Sequence, residues 1–216
     1  MAGIPDRPKV YHITHVDNLA GIVRDGVLWS DARRIERGLE CEVVGLSSIK
    51  RQRLESRPVG CRPGTMVGQY VPFYLGPRSV MLYILHMRNH PELTYRGGQK
   101  PIVHLVADLH ATVAWAEARG RRWAISDRNA GAGYASFYSR LDDLDKIDWD
   151  AVGATDWRAP DVKEGKQAEF LLFESFPWSL VERVGVASDA LRLQAEAAVA
   201  SAGHRPPVRV ERTWYY

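Results

Sequence analysis

The apolar residues of this chain fall into short runs of strand length, and these runs follow one another without the regular intervening helices that a βαβ series requires. Val10-Tyr-His-Ile-Thr14 alternates apolar and polar side chains, and the runs 71–75 and 80–85 flank the turn signal Gly76-Pro77-Arg78-Ser79. Runs of the same kind cover 102–107, 123–126, 168–173 and 180–186, with a turn at Phe176-Pro177-Trp178. Helical signals are fewer. Thr14, with Asp17 three residues on, is positioned to cap a helix carrying Leu19, Ile22 and Val23, which Gly26 would end. Further helices are expected over 47–54, 109–118 and 134–144, the last with Tyr134, Phe137, Tyr138 and Leu141 on one face, and from Ser188 to Gly203 ahead of a closing strand over 208–216. This order predicts an α+β fold with a mostly antiparallel sheet, in one domain spanning 1–216, with long loops at about 30–68 and 144–166. Unstructured stretches of that length in a compact domain are usually functional.

Composition removes several classes. With 216 residues, 45% of them hydrophobic, the chain can bury a sizeable core without a covalent or metal staple. Cys41 and Cys61 form no CxxC pair, so neither a zinc site nor a secreted disulfide framework is signalled, and a reducing cytoplasm is the expected compartment. The apolar runs are far shorter than the ~20 residues of a membrane span. The charged N-terminus with Pro5 and Pro8 has no apolar core and is not read as a signal peptide. His86 and His90 are four apart, but Pro91 follows His90 at once and no glutamate intervenes as in a zinc-protease helix, so no metal is expected. Gly131-Ala-Gly-Tyr-Ala-Ser136 lacks the third glycine and the later acid of a dinucleotide fingerprint. There is no Gly-x-Ser-x-Gly to support serine acyl transfer.

The net charge of +3 carries no argument, but its distribution is uneven. Between 47 and 62 stand Lys50, Arg51, Arg53, Arg57 and Arg62 against the single acid Glu55, which is either a solvated face or a phosphate-contacting surface. Glu169 sits at the mouth of the apolar strand Phe170-Leu-Leu-Phe173, with Gln167 on the same face. An isolated glutamate there is ordinarily just an exposed strand start. His12 and Thr14 share a face of the first strand, however, and Tyr74 adjoins the Gly-Pro-Arg turn, so a His, a Tyr and a Glu stand at three separate strand ends.

Four blocks, Tyr11-His-Ile-Thr-His-Val-Asp-Asn-Leu19, Tyr70-Val-Pro-Phe-Tyr-Leu-Gly-Pro-Arg-Ser-Val-Met-Leu-Tyr83, Ser126-Asp-Arg-Asn-Ala130 and Gln167-Ala-Glu-Phe-Leu171, occur in order. In them the chain resembles the DarT family of bacterial DNA ADP-ribosyltransferase toxins, from about Lys9 to Trp178. The resemblance implies a split, mostly antiparallel β core that uses NAD as a substrate without a Rossmann fingerprint. It implies transfer of ADP-ribose to a base of single-stranded DNA, thymine by the Val-Pro-Phe-Tyr block with guanine as the alternative, and release of nicotinamide. The family's toxins are opposed by a macrodomain antitoxin. By the same resemblance His12, with Thr14 and Asn18, would orient NAD, Tyr74 would stack on nicotinamide, Arg78 and Met81 would line the pocket, and Glu169 would be the catalytic acid. Arg53, with Arg51 two residues away, matches the catalytic arginine. Asn129 stands where some members have histidine, and Val80 replaces a proline. The segment before the catalytic strand would select the acceptor, which makes Trp149, Trp157, Arg158, Lys163 and Lys166 candidate DNA contacts beside Lys50 and Arg57.

These residue types suit the chemistry. Cleavage of the nicotinamide glycosidic bond builds an oxocarbenium ion, which a carboxylate can stabilise. An arginine stays protonated and can neutralise charge developing on the acceptor base. Transfer to RNA or protein, plain NAD hydrolysis, or a non-catalytic module binding single-stranded nucleic acid are the alternatives. A monomer is the default.

Overall fold

The structure is a computed structural model and describes residues 3–216. Its strands are β1 (Lys9–His15), β2 (Val27–Trp29), β3 (Tyr70–Tyr74), β4 (Ile102–Asp108), β5 (Trp123–Ser126), β6 (Phe137–Tyr138), β7 (Glu169–Phe173), β8 (Ser175–Pro177), β9 (Arg183–Val186) and β10 (Val208–Val210). The α-helices are α1 (Asn18–Asp25), α2 (Asp31–Glu36), α3 (Ser47–Glu55), α4 (Val80–Met87), α5 (Leu109–Glu117), α6 (Trp149–Gly153), α7 (Pro160–Gly165) and α8 (Asp189–Val199). One eight-stranded sheet runs β10-β9-β4-β1-β3-β7-β5-β6 and is antiparallel except where β10 meets β9, which agrees with the α+β expectation. A second, two-stranded sheet joins β2 to β8, a pairing that uses the segment read as a turn at Phe176.

Central strands β4, β5 and β7 are apolar on both faces because both faces are covered. On one side Leu19 and Ile22 of α1, Val113 and Ala116 of α5 and Leu191 and Ala195 of α8 join Phe73, Leu105 and Phe170 in the main core. On the other, Leu82 and Leu85 of α4 gather with Ile13, Leu93, Ile102 and Tyr215. At full burial each such side chain contributes about 1.5–3 kcal/mol, so the two clusters hold the sheet rigid between them. Gly26 closes α1 in the left-handed region at φ 68° and returns the chain directly into β2.

Five further local expectations are corrected. The run 80–85 is helical, not extended: the Ser79 hydroxyl accepts from the Leu82 N–H at 3.1 Å and starts α4, and a short continuous apolar run has no period that separates strand from helix. The stretch 134–144 holds no α-helix; Phe137 and Tyr138 pair with Ser126 and Ile125 on the sheet edge, and a 3-10 turn follows over Leu141–Lys146. Thr14 remains in β1, and α1 begins after Asp17. The long segments 30–68 and 144–166 are not bare loops but carry α2 with α3, and α6 with α7. Only Val208–Val210 of the closing stretch is a strand.

Candidate active site

The sheet is divided at its middle. β1 pairs with β4 along seven residues, but with β3 it shares the single register pair Tyr11 and Tyr74, beyond which the two strands part. Pro72 lies where they separate. A proline is tolerated in this central strand because its missing N–H would have pointed into the gap, where no acceptor strand waits. Its carbonyl accepts from His12 Nδ1 at 2.8 Å. Since a carbonyl only accepts, the proton sits on Nδ1. Burial lowers the imidazole pKa to about 4, so the ring is neutral at pH 7 and presents Nε2 as an acceptor.

The gap widens into a cleft with two arms that share His12, Ile13, Asp31, Val44, Lys50 and Pro72. The larger arm, about 390 Å³, lies between α1, β2 and the 39–44 segment and is lined by Thr14, Asn18, Trp29 and Arg34. Asn18 fastens its wall, with Nδ2 donating to Thr14 Oγ1 at 3.0 Å and to the Glu42 carbonyl at 2.9 Å, while Oδ1 accepts from the Glu42 N–H. The smaller arm, about 160 Å³, is lined by Arg53, Tyr74, Met81, Asn129, Gln167 and Glu169. The two arms together fall in the size class of small-molecule sites.

Glu169 forms the floor of the smaller arm. It begins β7 opposite Tyr74 on one side and Ser126 on the other, and is 2% exposed. Oε1 accepts from Arg53 Nη2 and from the Ala130 N–H at 3.0 Å. Arg53 comes from α3 across the cleft, and its Nη2 also donates to Asn129 Oδ1 at 3.0 Å. Burial pulls the guanidinium pKa down, but Glu169 beside it more than reverses this. The Arg53 Nε–H is buried with no acceptor in the protein, an unspent donor lining the smaller arm. Burial, followed by the charge of Glu169, pushes the Tyr74 phenol well above its ordinary value, so it stays neutral.

The glycine segment rejected as a dinucleotide fingerprint cradles this pair. The Gly131 N–H bonds Asn129 Oδ1 at 2.8 Å, and a Cβ at Gly131 would stand 3.0 Å from that oxygen and 3.4 Å from Arg53 Nε. At the junction of the arms Lys50 Nζ bonds both oxygens of Asp31 at 2.8 and 2.9 Å. Burial opposes ionisation of Asp31, yet Lys50 and Arg34 hold its pKa below the usual carboxylate range.

The structure therefore brings His12, Thr14, Asn18, Arg53, Tyr74, Met81 and Glu169 onto one cleft and separates others from it. Arg51 is exposed and lines neither arm. Arg78 lies in a different cavity, with its guanidinium 4.3 Å from the Tyr216 ring centre, because the 75–78 turn carries it away from β3. Lys50, expected at a DNA-facing surface, is drawn into the cleft by Asp31. Arg57 spends its Nε–H on the Gly131 carbonyl at 2.6 Å, which ties the segment just after α3 to the glycine segment.

Trp149 is not an open stacking platform: it is 7% exposed, and its Nε1 donates to the Leu144 carbonyl. Lys166 is likewise buried, with Nζ on the carbonyls of Val152 and Ala154 at 3.1 and 2.6 Å. The expected open-surface contacts thus reduce to three. Trp157 sets its ring edge-on to Tyr83 at 4.9 Å, Lys163 Nζ lies 6.0 Å from that indole, and Arg158 is exposed beside Asp156. Asp31 and Arg34 were missed because they lie in the aperiodic part of the 30–68 segment ahead of the expected 47–54 helix; the signal that could have found them is Ser30, whose side chain caps α2. Asn129 was noted only as a departure.

A carboxylate fixed by two donors at the closed end of a split sheet, across a cleft from a neutral histidine, suits an enzyme that transfers a glycosyl group through a sugar cation. Residues 11–216 match the family model described as DarT, ssDNA thymidine ADP-ribosyltransferase. A DNA ADP-ribosyl transferase of Thermus aquaticus is 40% identical over 210 residues, 96% of this chain and 88% of that protein. The structure of Thermus sp. 2.9 DarT in complex with ADP-ribosylated ssDNA superimposes with a TM-score of 0.89 at 33% identity, covering 100% of this chain and 99% of the other. The same protein in complex with NAD+ gives 0.80, covering 99% and 100%. The chain belongs to the DarT family of single-stranded DNA thymidine ADP-ribosyltransferases.

Proposed function

We propose that this chain transfers ADP-ribose from NAD to thymine in single-stranded DNA, with Glu169 and Arg53 at the reacting centre. The observation that carries this reading is the Arg53–Glu169 pair, anchored by the Ala130 N–H, at the end of a cleft that His12 opens. NAD would lie along both arms. The nicotinamide end suits the smaller arm, where Tyr74 and Met81 offer apolar walls, and the cationic Lys50 and Arg34 suit the pyrophosphate. His12 Nε2 would accept from a ribose hydroxyl. As the glycosidic bond breaks, the Glu169 charge stabilises the oxocarbenium ion, and Arg53 and Ala130 keep that carboxylate from turning away. Nicotinamide leaves as a neutral ring, so no acid is needed to protonate it.

Arginine does not give up its proton at neutral pH, so Arg53 acts on the acceptor by charge and hydrogen bonding, and its unpartnered Nε–H is available for an acceptor-base oxygen, while the thymine ring nitrogen that bonds to the sugar carbon releases its proton to solvent. A single strand suits the site, since pairing occupies the reacting edge of the base in a duplex. Trp157, Lys163 and Arg158 supply a surface of the kind that holds unpaired bases and phosphates. Family membership supports a toxin role opposed by a macrodomain antitoxin. Cys41 and Cys61, both unpaired, fit a reducing cytoplasm. None of the helices is long and apolar enough to cross a membrane among the described residues.

The test is intact-mass spectrometry of short single-stranded oligonucleotides, each lacking one base, after incubation with the protein and NAD. An added ADP-ribose on every strand except the thymine-free one is expected. Modification of the thymine-free strand, or nicotinamide release without any adduct, would overturn the acceptor assignment.

A further inference from the structure

Beyond the Tyr11–Tyr74 pair, on the far side of the 75–78 turn from the cleft, lies a second cavity of about 310 Å³. It is lined by Arg7, Lys9, Tyr11, Arg78 and Lys166 among others, and no acidic residue lines it among those described. Two of its cations are already satisfied: Lys9 bonds Asp108 and Glu182 at 2.9 and 2.7 Å, and Arg7 approaches Asp108 at 3.8 Å. The other two are not. Lys166 is 6% exposed and bonds only the carbonyls of Val152 and Ala154, which leaves its third N–H without a protein acceptor. The Arg78 guanidinium rests on the Tyr216 ring and has a buried Nε–H with no acceptor.

Two cations facing one cavity without a carboxylate repel each other, and burying an uncompensated ammonium is costly. Burial and, after it, the charge of Arg78 pull the Lys166 pKa down to about 8. An anion between them removes both penalties. Lys166 stands three residues before Glu169, so at strand spacing it is at most roughly 10 Å along the chain from the acid. Arg78 follows Tyr74 by four residues through the turn. An aromatic tract of Tyr83, Trp157 and Tyr216 leads from α4 to Arg78.

We infer that Arg78 and Lys166 form a buried receptor for one phosphodiester of the acceptor strand, flanking the nucleotide being modified. The inference rests on DNA being the acceptor. It gives the two residues a positioning role: they hold the register of the strand and touch neither NAD nor the reacting atoms.

The test compares the native protein with Lys166→Met, which keeps the buried stem, and Arg78→Gln at a half-buried position. Single-strand binding is followed by fluorescence anisotropy across a salt series, and NAD affinity by calorimetry. Each variant is expected to flatten the slope of log K against log salt by about 0.7, the loss of one phosphate contact on a single strand, with NAD affinity unchanged. A scan of oligonucleotides with single neutral methylphosphonate linkages should show one linkage that weakens native binding and has no effect on either variant. Native slopes in Arg78→Gln would overturn the inference even if Lys166→Met fails to fold. Equal sensitivity at every linkage, which is what a site for free phosphate alone would give, would overturn it too. Native protein that neither binds nor modifies DNA would overturn the acceptor reading and the inference with it, whereas native transfer with unchanged variant slopes would refute the inference alone.

Discussion

Replacing Glu169 by Gln should separate what the Arg53–Glu169 pair does for stability from what it does for catalysis. Gln keeps the shape and one oxygen but removes the charge. The Arg53 side chain is 15% exposed and that of Glu169 2%, so the pair lies in the buried regime and not among surface ion pairs of small value. Removing one partner there leaves an uncompensated guanidinium, at a cost of about 3–5 kcal/mol. For a chain of this size that is a fall in Tm of roughly 6–20 °C. Adding Arg53→Met removes the stranded charge, and most of the lost stability should return.

Activity should not follow. In the proposed mechanism Glu169 faces the sugar cation, and its loss should cost at least about 10²–10³ in rate, the scale seen when one preorganised electrostatic contact is removed. The double variant, lacking both groups, should remain at or below that level. Calorimetric melting of the native, single and double variants, with single-turnover transfer to a thymine-containing strand, reads both quantities. A Glu169→Gln protein that melts like the native chain and transfers within a few-fold of its rate would refute the reasoning.

The remaining expectations are more local. His104 is fully buried, bonded to the Pro77 carbonyl at 2.9 Å and to the Tyr215 hydroxyl at 3.2 Å, and burial lowers its pKa from 6.5 to about 4. The unfolded chain therefore takes up this proton first. The stability it contributes is complete above about pH 6.5 and declines as pH falls to about 4, by roughly 3 kcal/mol in all. An imidazole NMR titration with a midpoint near 6.5 would contradict this. Gly185→Ala would put a Cβ 2.4 Å from the Trp214 ring, which itself packs edge-on to His104, so a loss of about 1–3 kcal/mol is expected in denaturant melts. Asn18→Ala removes the bonds to Thr14 and Glu42 that fasten the wall of the larger arm, and should raise KM for NAD several-fold with a smaller effect on kcat.

Much of this was legible from residue pattern because the strands that carry the candidate site residues have strong local signals. The alternation of Val10 to Thr14 and the apolar run after Glu169 placed His12 and Glu169 at strand positions, and those strands exist. The run 80–85 misled because both faces of α4 meet apolar neighbours, which erases the helical period; the Ser79 cap was the readable signal. Burial within irregular segments was not legible. Trp149 and Lys166 looked like surface residues in a polar stretch, but short helices α6 and α7 fold that stretch onto the 75–78 turn. Lys50 counted as one charge in a basic run, and only the fold brings Asp31, nineteen residues earlier, against it.

The central claim is that one centre both releases nicotinamide and delivers the sugar to thymine. It is tested most directly by counting, in a single reaction, the nicotinamide released from NAD and the ADP-ribose gained by an oligonucleotide carrying one thymine. The account predicts a ratio of one to one that disappears when that thymine is replaced by cytosine. Nicotinamide released at the same rate without a modified strand, or an equal yield on the cytosine strand, would contradict it.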